Sequence, residues 1–543
     1  MKLTPIALAL AFIGSAAQAT TFQTESISGN FDSTLSLGLG IRAKNPSCGL
    51  ILDGATGSDA PAGCLSPTSA LGDQGNLNYR KGDLFALQLK GSHELLLKLP
   101  EQWTVMARAN WVADAAATHT SGLTSATTPP DLQDNLAPDA RRDLKFKARL
   151  LDLWVSKTFT VGDQTARVRV GNQVISWGES LFLPGGINST NAIDVMRLSQ
   201  PGTQLKEVYL PAPMASIASG LGHGLNAEAY YQFAWNESYF PPSGSYWSQV
   251  NGLGKGHDTY GLADEKARNS GQWGMQLRWQ PEDTQLNFGL YAMNYHDKVP
   301  QFSTNIKNTG AVGWTYPEDR KLYGVSMNFP LGDWAIGSEL SYRPKDAVAL
   351  NANASGCASQ NGNCWIDNKK LQWNLTGLLS LTPSGTGGGL LRAIGADTAT
   401  LLAEAVVVQY PGLKQSYGGD PIAAGGWGWG QETDPTASPR AGGSKTSSGF
   451  NFDFSVVYDG TLIPGWQVVP ELYYFRALSG RTPNTMAQFM KGAQSANLTV
   501  SFIQNPATWQ FAINYAAFWG GSSVFDQPYR DRNFVGAVVS RNF

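Results

Sequence analysis

Charged side chains at two-residue spacing are the main chemical resource of this 543-residue chain. Arg167 and Arg169 share one face of an extended segment, and Asp152 lies on the segment before it. If these segments line a water-filled channel, such a group can attract ions, or it can stabilise the channel wall through ion pairs. Both signs occur, so strong selection of anions or cations is not indicated. The candidate lumen charges are Lys90, Glu94, Arg108, Asp152, Arg167, Arg169, Glu228, Arg278, Glu339, Arg343, Asp453 and Glu471.

Catalytic and metal sites are not indicated. No histidine stands in a recognisable constellation with Ser or Asp, and Gly178-Glu179-Ser180 lacks the context of a nucleophile elbow. The sequence has no phosphate loop, dinucleotide fingerprint or zinc motif. We therefore expect no enzymatic activity, no cofactor and no metal. The alternative is a hydrolase whose catalytic residues are distant in sequence and meet only in the folded chain. The histidines are His93, His119, His223, His257 and His296.

The composition is that of a chain rich in strands and turns. Charged residues make up only 15%, against roughly 25% in soluble domains, while Gly (60), Phe (23), Tyr (19) and Trp (17) are plentiful. A mean hydropathy of −0.22 argues against a helical membrane protein. The net charge of −2 gives no basic excess, so we expect no nucleic-acid partner.

Residues 1–19 are predicted to be an export signal. Lys2 supplies the positive start, Ile6 to Ile13 form the apolar core, and Ala17-Gln18-Ala19 is a small-x-small cleavage site. Later apolar runs are all shorter than the roughly 18 residues of a transmembrane helix. The mature chain, 20–543, is therefore periplasmic, secreted or an outer-membrane barrel.

Alternating hydrophobicity decides between these classes. Four segments show apolar residues at every second position, with aromatic residues at the ends of the apolar face and polar residues opposite. They are Trp103 to Asn110, Ala227 to Trp235, Gln272 to Trp279 and Trp509 to Tyr515. An apolar outside with aromatic rims and a polar inside is what a lipid-exposed barrel requires. The sequence thus predicts an all-β, transmembrane antiparallel β-barrel.

About eighteen strands are predicted, with 16 or 14 as alternatives. Short turns such as Leu99-Pro100-Glu101 alternate with long polar loops such as 237–269, the asymmetry of periplasmic turns and outer loops. The connection from Leu381 to Ala399 is too long for such a turn, so it is an ordered excursion or the count fails there. The strands begin near Asp32, Leu84, Trp103, Arg149, Ala166, Lys206, Leu225, Gln272, Leu286, Lys321, Trp334, Leu371, Thr400, Asn451, Trp466, Asn497, Trp509 and Asn533.

The last strand supports placement in the outer membrane of a Gram-negative bacterium. Asn533 to Phe543 ends in an aromatic residue and resembles the C-terminal strand that the barrel assembly machinery recognises. We therefore expect outer-membrane lipid and that machinery as partners. Arg541 on the lipid face departs from the pattern, but near the interface it costs only about 0–1 kcal/mol.

The four cysteines predict disulfides, the usual state of cysteine in exported proteins. Cys48 and Cys64 fall in one long loop, and Cys357 and Cys364 in another. Local pairing within each loop is the simplest of the possible connectivities. We expect it to staple the loops by restricting the unfolded chain.

Several motifs carry a family resemblance. They are Asn76 to Asp83, Gly171 to Ser180, Pro184 to Asn188, Asn191 to Val195 and Leu205-Lys206-Glu207. With them the chain resembles a proteobacterial outer-membrane family catalogued as a domain of unknown function, often encoded beside exporters of the resistance-nodulation-division superfamily. The resemblance implies an outer-membrane barrel with a part in transport, and it supplies no catalytic residue.

The segment 177–204 is too apolar for a loop exposed to water. We expect it to fold into the lumen and narrow it, with a turn at Pro184-Gly185-Gly186 and a short helical turn, Asp194 to Arg197, capped by Asn191. A loop lying across the outer mouth or against a partner subunit is the alternative. The candidate constriction residues are Trp177, Glu179, Asn188, Asn191, Asp194 and Arg197.

These observations lead to one functional hypothesis and one rival. The hypothesis is an outer-membrane channel for passive transport of small or amphipathic solutes. The rival is an outer-membrane partner of a periplasmic carrier or exporter that moves a hydrophobic compound or lipid. Conductance separates the two, because only an open pore gives stable current steps.

Overall fold

Eighteen antiparallel strands form a closed ring in the part of the chain that the computed structural model describes. Those residues are 20–47, 50, 55–56, 73–125, 128–129, 131–197, 207–351, 355–425, 442–521 and 526–543. The predicted signal peptide, 1–19, lies outside them. The transmembrane-type β-barrel predicted from the sequence is confirmed, with the larger of the predicted strand counts.

The ring runs in chain order, each strand pairing with the next. Its strands are β1 Ser28–Arg42, β2 Leu84–Leu99, β3 Trp103–Asp114, β4 Phe146–Val161, β5 Gln164–Gln173, β6 Ala212–Gly222, β7 Leu225–Gln232, β8 Gln272–Trp279, β9 Asn287–Tyr295, β10 Arg320–Leu331, β11 Trp334–Ala349, β12 Trp365–Leu381, β13 Thr398–Gln409, β14 Thr446–Ile463, β15 Trp466–Ser479, β16 Ala493–Gln504, β17 Trp509–Gly520 and β18 Phe534–Asn542. The short strand Thr20–Gln23 pairs with the start of β1.

Pairing of β1 with β18 closes the ring, from Thr34 opposite Asn542 to Arg42 opposite Phe534. The terminal Phe543 continues the ladder, because its N–H donates to the Ser33 carbonyl at 2.7 Å. Arg541 lies between two aromatic rings, 5.2 Å from the centroid of Trp509 and 4.9 Å from that of Phe543. These rings cover the charge that the sequence places on the lipid face.

The outer face carries exposed apolar side chains at alternate positions, such as Leu277, Leu290 and Ile513. At the end of the barrel where the short turns lie, strands begin or end with tryptophan, the residue enriched at membrane interfaces. These tryptophans are Trp103, Trp279, Trp334, Trp466 and Trp509. No helix among the described residues is long and apolar enough to cross a bilayer.

The two ends of the barrel differ as predicted, and we name them the turn end and the loop end. At the turn end the connection 382–397 contains the helix α3, Gly388–Ile394. The unusual length of this connection is therefore an ordered excursion and not an error in the strand count. The helices are α1 Gln74–Asn78, α2 Pro138–Lys145 and α3 Gly388–Ile394, and the 3-10 turns are Pro100–Gln102, Gln133–Asn135, Ile187–Thr190, His257–Tyr260 and Ala358–Gln360.

Two local expectations are wrong. β6 begins at Ala212 and not near Lys206, which lies outside the described residues. Asn191 follows the turn Ile187–Thr190 instead of capping the next one. The turn through Arg197 is held by Asp194, whose Oδ1 accepts the Arg197 N–H at 2.9 Å. A carboxylate at this spacing offers a better acceptor than the amide three residues before it.

The loops pack into a layer at the loop end. Its largest apolar cluster brings together Phe240, Trp314, Val348 and Leu350 from four connections and strand ends. The Cys357–Cys364 disulfide is present there and confirms the local pairing, whereas Cys48 and Cys64 lie outside the described residues. The small strands of this layer are Ala55–Thr56, Thr124–Ser125, Ala192–Ile193, Tyr209–Leu210, Ala263–Glu265, Gln301–Ile306, Ala311–Thr315, Ser416–Tyr417 and Asp420–Pro421.

Candidate channel constriction

The connection after β5 folds back onto lumen-facing side chains. We call residues 174–197 the crossing loop. Trp177 and Ile187 are buried in it and pack with Tyr230 of β7, Tyr291 of β9 and Leu322 of β10. These apolar side chains face inward, because the exposed apolar residues of the same strands point outward. The apolar content of the loop is thus matched by an apolar stripe on the inner wall.

Glu339 on β11 binds the base of the crossing loop. Its Oε2 accepts the N–H groups of Glu179 at 2.6 Å and Ser180 at 3.2 Å, and its Oε1 accepts that of Ile187 at 3.0 Å. A Cβ atom on Gly186 would lie 1.9 Å from Glu339 Oε1. A side chain at this position would therefore displace the Glu339 carboxylate from the loop.

Glu404 on β13 binds the tip of the loop. Its Oε2 accepts the N–H groups of Phe182 at 2.7 Å and Leu183 at 2.8 Å, while its Oε1 accepts from Asn374 Nδ2 at 2.8 Å. In the ring order β13 lies eight strands from β5, close to the opposite side of the barrel. The crossing loop therefore spans the interior from one wall to the other.

Carbonyl groups at the tip are bound as well. The Pro184 carbonyl accepts from Gln372 Nε2 at 3.2 Å and from Gln488 Nε2 at 2.7 Å. Arg343 of β11 donates to the carbonyls of Gly185 and Gly186, the latter at 3.1 Å. Backbone groups that no strand ladder pairs are thus satisfied by side chains from β11, from β12 and from the connection after β15.

Four of the six predicted constriction residues lie in the crossing part of the loop. Trp177 Nε1 donates to Glu228 at 3.0 Å, and the Trp177 N–H donates to Asn188 Oδ1 at 2.8 Å. The Glu179 carboxylate accepts from Arg278 at 2.8 Å. Asn191 Nδ2 donates to the Ile175 carbonyl at 2.7 Å, so the two ends of the excursion touch.

The other two, Asp194 and Arg197, are buried against the near wall. Asp194 forms an ion pair with Arg149 of β4. Arg197 binds Glu207 at 2.9 Å, and Glu207 also binds Lys90 of β2 at 3.1 Å. These ion pairs hold the returning chain against β4, which is next to β5, and against β2.

The predicted lumen cluster is arranged differently from the simplest expectation. Asp152 pairs with Arg108, whose Nε donates to Oδ2 at 2.9 Å, and Arg108 lies 3.8 Å from Glu94. Arg169 stacks on Trp154 at 4.2 Å. Arg167 is exposed on the same inner face as Arg169.

A cavity of about 630 Å³ separates the loop tip from the wall of β14 to β17. Beside it the Phe182 ring contacts the Tyr473 ring edge-on, with centroids 5.9 Å apart, so the loop tip touches this wall at that point. Asp453 and Glu471 line the same wall, and neither has a cationic partner among the residues that the structure describes.

The cations that line this cavity are engaged. Arg343 pairs with Asp346 at 3.0 Å, and Lys370 lies 3.9 Å from the same carboxylate. Lys298 Nζ donates to Gln272 Oε1 at 3.0 Å. Asp453 and Glu471 are thus carboxylates of the cavity lining without an ion pair among the described residues.

Asp297 and Lys298 sit above the strands at the edge of the cavity. Burial raises the pKa of Asp297 to about 7, although Arg320 at 3.6 Å opposes the shift. Burial lowers the pKa of Lys298 to about 7, opposed by the negative charge of Asp297. Both groups therefore change charge near neutral pH.

A second connection also reaches across the barrel. We call residues 233–262 the covering loop. Its Tyr246 ring stacks on Phe85 of β2 at 3.7 Å, and its Trp247 meets Phe534 of β18 at 5.3 Å. Arg532 donates to the Tyr246 carbonyl at 2.6 Å and forms an ion pair with Asp73. The sequence predicted a long polar outer loop here, and its reach across the barrel was not predicted.

Sequence reasoning missed Glu404 and the covering loop. Glu404 is the only charged residue in the apolar strand Thr398–Gln409, and a lone carboxylate in such a strand is a usable signal. The covering loop shows no apolar run, because its buried positions include Ser243, Ser248 and Asn251. Among the described residues no group of three or more His, Cys, Asp or Glu could hold a metal ion.

The family is decided by a comparison over the whole chain. Residues 1–543 match the family described as "Protein of unknown function (DUF1302)". The chain belongs to this family. A comparison with curated proteins gives no match.

Solved structures of outer-membrane proteins are similar to this chain over most of their length. OccAB1 of Acinetobacter baumannii is 12% identical, with a TM-score of 0.43 and coverage of 97% of this chain and 98% of that chain. OprD of Pseudomonas aeruginosa is 12% identical, with a TM-score of 0.42 and 97% coverage of both chains. The fold of this family member is established by its own strand pairing.

Proposed function

We propose that this member of the family is a passive outer-membrane channel whose lumen is narrowed by the crossing loop. The observation that carries the proposal is the docking of Phe182 and Leu183 onto Glu404, across the barrel from β5. An eighteen-strand barrel is wide enough for an aqueous channel unless something occupies it. The loop leaves a passage along β14 to β17, where the cavity lies.

The lining of this passage favours small, amphipathic solutes. Leu181, Phe182 and Leu183 form one side, and Asp453 with Glu471 form part of the other. A solute with an apolar body and a polar or positively charged group matches both sides. We place the turn end in the periplasm and the loop end outside, as short turns and long loops are arranged in bacterial barrels.

Excision of the loop tip tests the channel. Residues Glu179 to Ile187 are replaced by two glycines; the ends stay close because Trp177 and Asn188 are hydrogen-bonded. The expected result in planar bilayers is stable current steps from the native protein and larger steps from the variant. Heat-modifiable migration in gels shows that both barrels are folded.

A matched variant separates loop removal from general damage. Replacement of Lys414 to Gly419, an excursion of the connection after β13, is expected to leave conductance unchanged. Current steps equal in the native protein and the tip excision would contradict the constriction. Absence of steps from folded native protein would favour the rival, a barrel that partners a periplasmic carrier or exporter.

Proteolysis of intact cells tests the orientation. We expect cleavage within 116–145, where Arg141 and Arg142 precede β4, and no labelling of a tag placed at Pro100. Labelling at Pro100 on intact cells would reverse the assignment of the two ends.

A further inference from the structure

The helix α3 packs on the outside of the barrel. Its Leu391, 1% exposed, contacts Ala399 of β13 and Val456 of β14. On β13 the residues at odd positions face outward, since Val407 is exposed whereas Glu404 points into the lumen. Ala399 and its ladder partner Val456 therefore belong to the lipid-facing surface. The connection from β12 to β13 therefore folds back over this surface and does not extend away from the turn end.

The opposite side of the helix is apolar and uncovered. Leu390 is 59% exposed and Ile394 44% exposed, and their four-residue spacing places them on one side of α3. Arg392, the only charged residue of the helix, is exposed between them in sequence, and its guanidinium donates to the Pro383 carbonyl. Such a short helix with apolar residues beside a cation suits a membrane interface.

The strand register fixes the depth of the helix. Trp334, one of the turn-end tryptophans, pairs with Leu379 of β12. Leu381, which packs against α3, lies on the same face two residues further toward the turn end. Tryptophans at barrel rims mark the boundary between headgroups and acyl chains. The helix therefore sits at that boundary, continuous with the lipid-facing band.

We propose that α3 is an in-plane membrane helix that inserts Leu390 and Ile394 among phospholipids at the turn end. Its occupant is lipid and not a protein, because the exposed side chains extend the apolar band of β12 to β14. The proposal depends on the barrel's spanning a bilayer and not on its acting as a channel. Failure of the conductance test and failure of this proposal are therefore distinguishable.

Photo-crosslinking tests the contact directly. Benzoylphenylalanine is placed at position 390 or 394, and the protein is irradiated in vesicles of phosphatidylethanolamine and phosphatidylglycerol. Leu290, exposed in the middle of β9, is the positive control, and Asp163, in the turn between β4 and β5, is the matched turn-end control. We expect lipid adducts at 390 and 394 about tenfold above those at 163, from burial in the interface.

Two outcomes would overturn the proposal. One is a yield at 390 and 394 no higher than at 163 while position 290 labels lipid. The other is a protein adduct at 390 or 394 in irradiated cells without a lipid adduct, which would assign the helix to a periplasmic partner. Heat-modifiable migration of each variant shows that the barrel is intact before irradiation.

Discussion

The crossing loop and the covering loop both traverse the barrel, but different charged groups hold them: two carboxylates and Arg343 bind the crossing loop, whereas Arg532 binds the covering loop. Carboxylates of Glu339 and Glu404 accept the N–H groups of the crossing loop. The Arg532 guanidinium donates to carbonyl groups of the covering loop, and aromatic rings fill the space around it. A loop inside a barrel has no ladder of its own, so the wall must supply either acceptors or donors. Charged residues that face the interior therefore hold loops in place.

The largest effect is expected from removing both acceptors of the crossing loop. Glu339→Ala with Glu404→Ala leaves at least five backbone N–H groups unpaired, at about 1–3 kcal/mol each if they stay buried. The loop should leave the far wall, and single-channel conductance should rise. Glu339→Gln with Glu404→Gln keeps an oxygen acceptor at each site and should change conductance less. Equal conductance in the native protein and both double variants would show that these carboxylates do not hold the crossing loop in place.

Removing the donor of the covering loop should have the next largest effect. Arg532→Met leaves Asp73 buried without its partner, a loss of about 3–5 kcal/mol. We expect trypsin to cut at Lys255 in the variant while the barrel resists digestion. Arg530→Met, two positions earlier and half-buried, is the control. Protection of Lys255 in the Arg532 variant would mean that the aromatic contacts alone hold the loop.

Charge on the wall facing the crossing loop should set ion preference. Asp453→Asn with Glu471→Gln removes the two unpaired carboxylates of the cavity. We expect a several-fold fall in the cation-to-anion permeability ratio, measured from reversal potentials in a salt gradient. Asp32→Asn, on β1 away from the cavity, should leave the ratio unchanged. A ratio that stays constant in the double variant would place the ion path elsewhere.

The smallest effect is expected from Asp297 and Lys298, which lie where the covering loop meets the cavity. Both have pKa values of about 7, so each loses a proton as the pH rises from 6 to 8. Asp297 becomes negative and Lys298 becomes neutral, so the local charge falls by two. Cation preference should increase over this range, and Asp297→Asn with Lys298→Met should abolish the change. A decrease with rising pH would contradict the direction of these shifts.

Much of the barrel could be predicted because its signal is local. Alternation within each strand identified all eighteen, and the largest errors in where a strand begins are at β12, predicted near Leu371 but beginning at Trp365, and at β6, where the chain returns from the crossing loop. Period two holds there only from Ala212 onward, since residues before it follow loop packing. The wall could be predicted because every strand that faces lipid needs apolar side chains on its outer face.

The interior could be predicted only in part. Trp177 and Ile187 revealed an inward loop because apolar side chains in a loop need cover. Which carboxylates bind the loop depends on which strands lie opposite β5 in the ring. The sequence alone does not show how far across the barrel the loop reaches. Asp194 and Arg197 share the loop's sequence but bind the near wall, through Arg149 and Glu207. The covering loop stayed hidden because polar side chains that pair with backbone inside look like those that meet water outside.

The carboxylates that hold the crossing loop also impose an order on assembly. Glu179 binds a residue 160 positions later in the chain, and Phe182 binds one 222 positions later. Contacts across such separations carry a high loop-closure entropy until the intervening strands have paired. We therefore expect the crossing loop to dock after β11 and β13 have joined the ring, so that the lumen narrows in a late folding step. Substitutions in the loop should leave insertion of the barrel untouched and act on its last folding step.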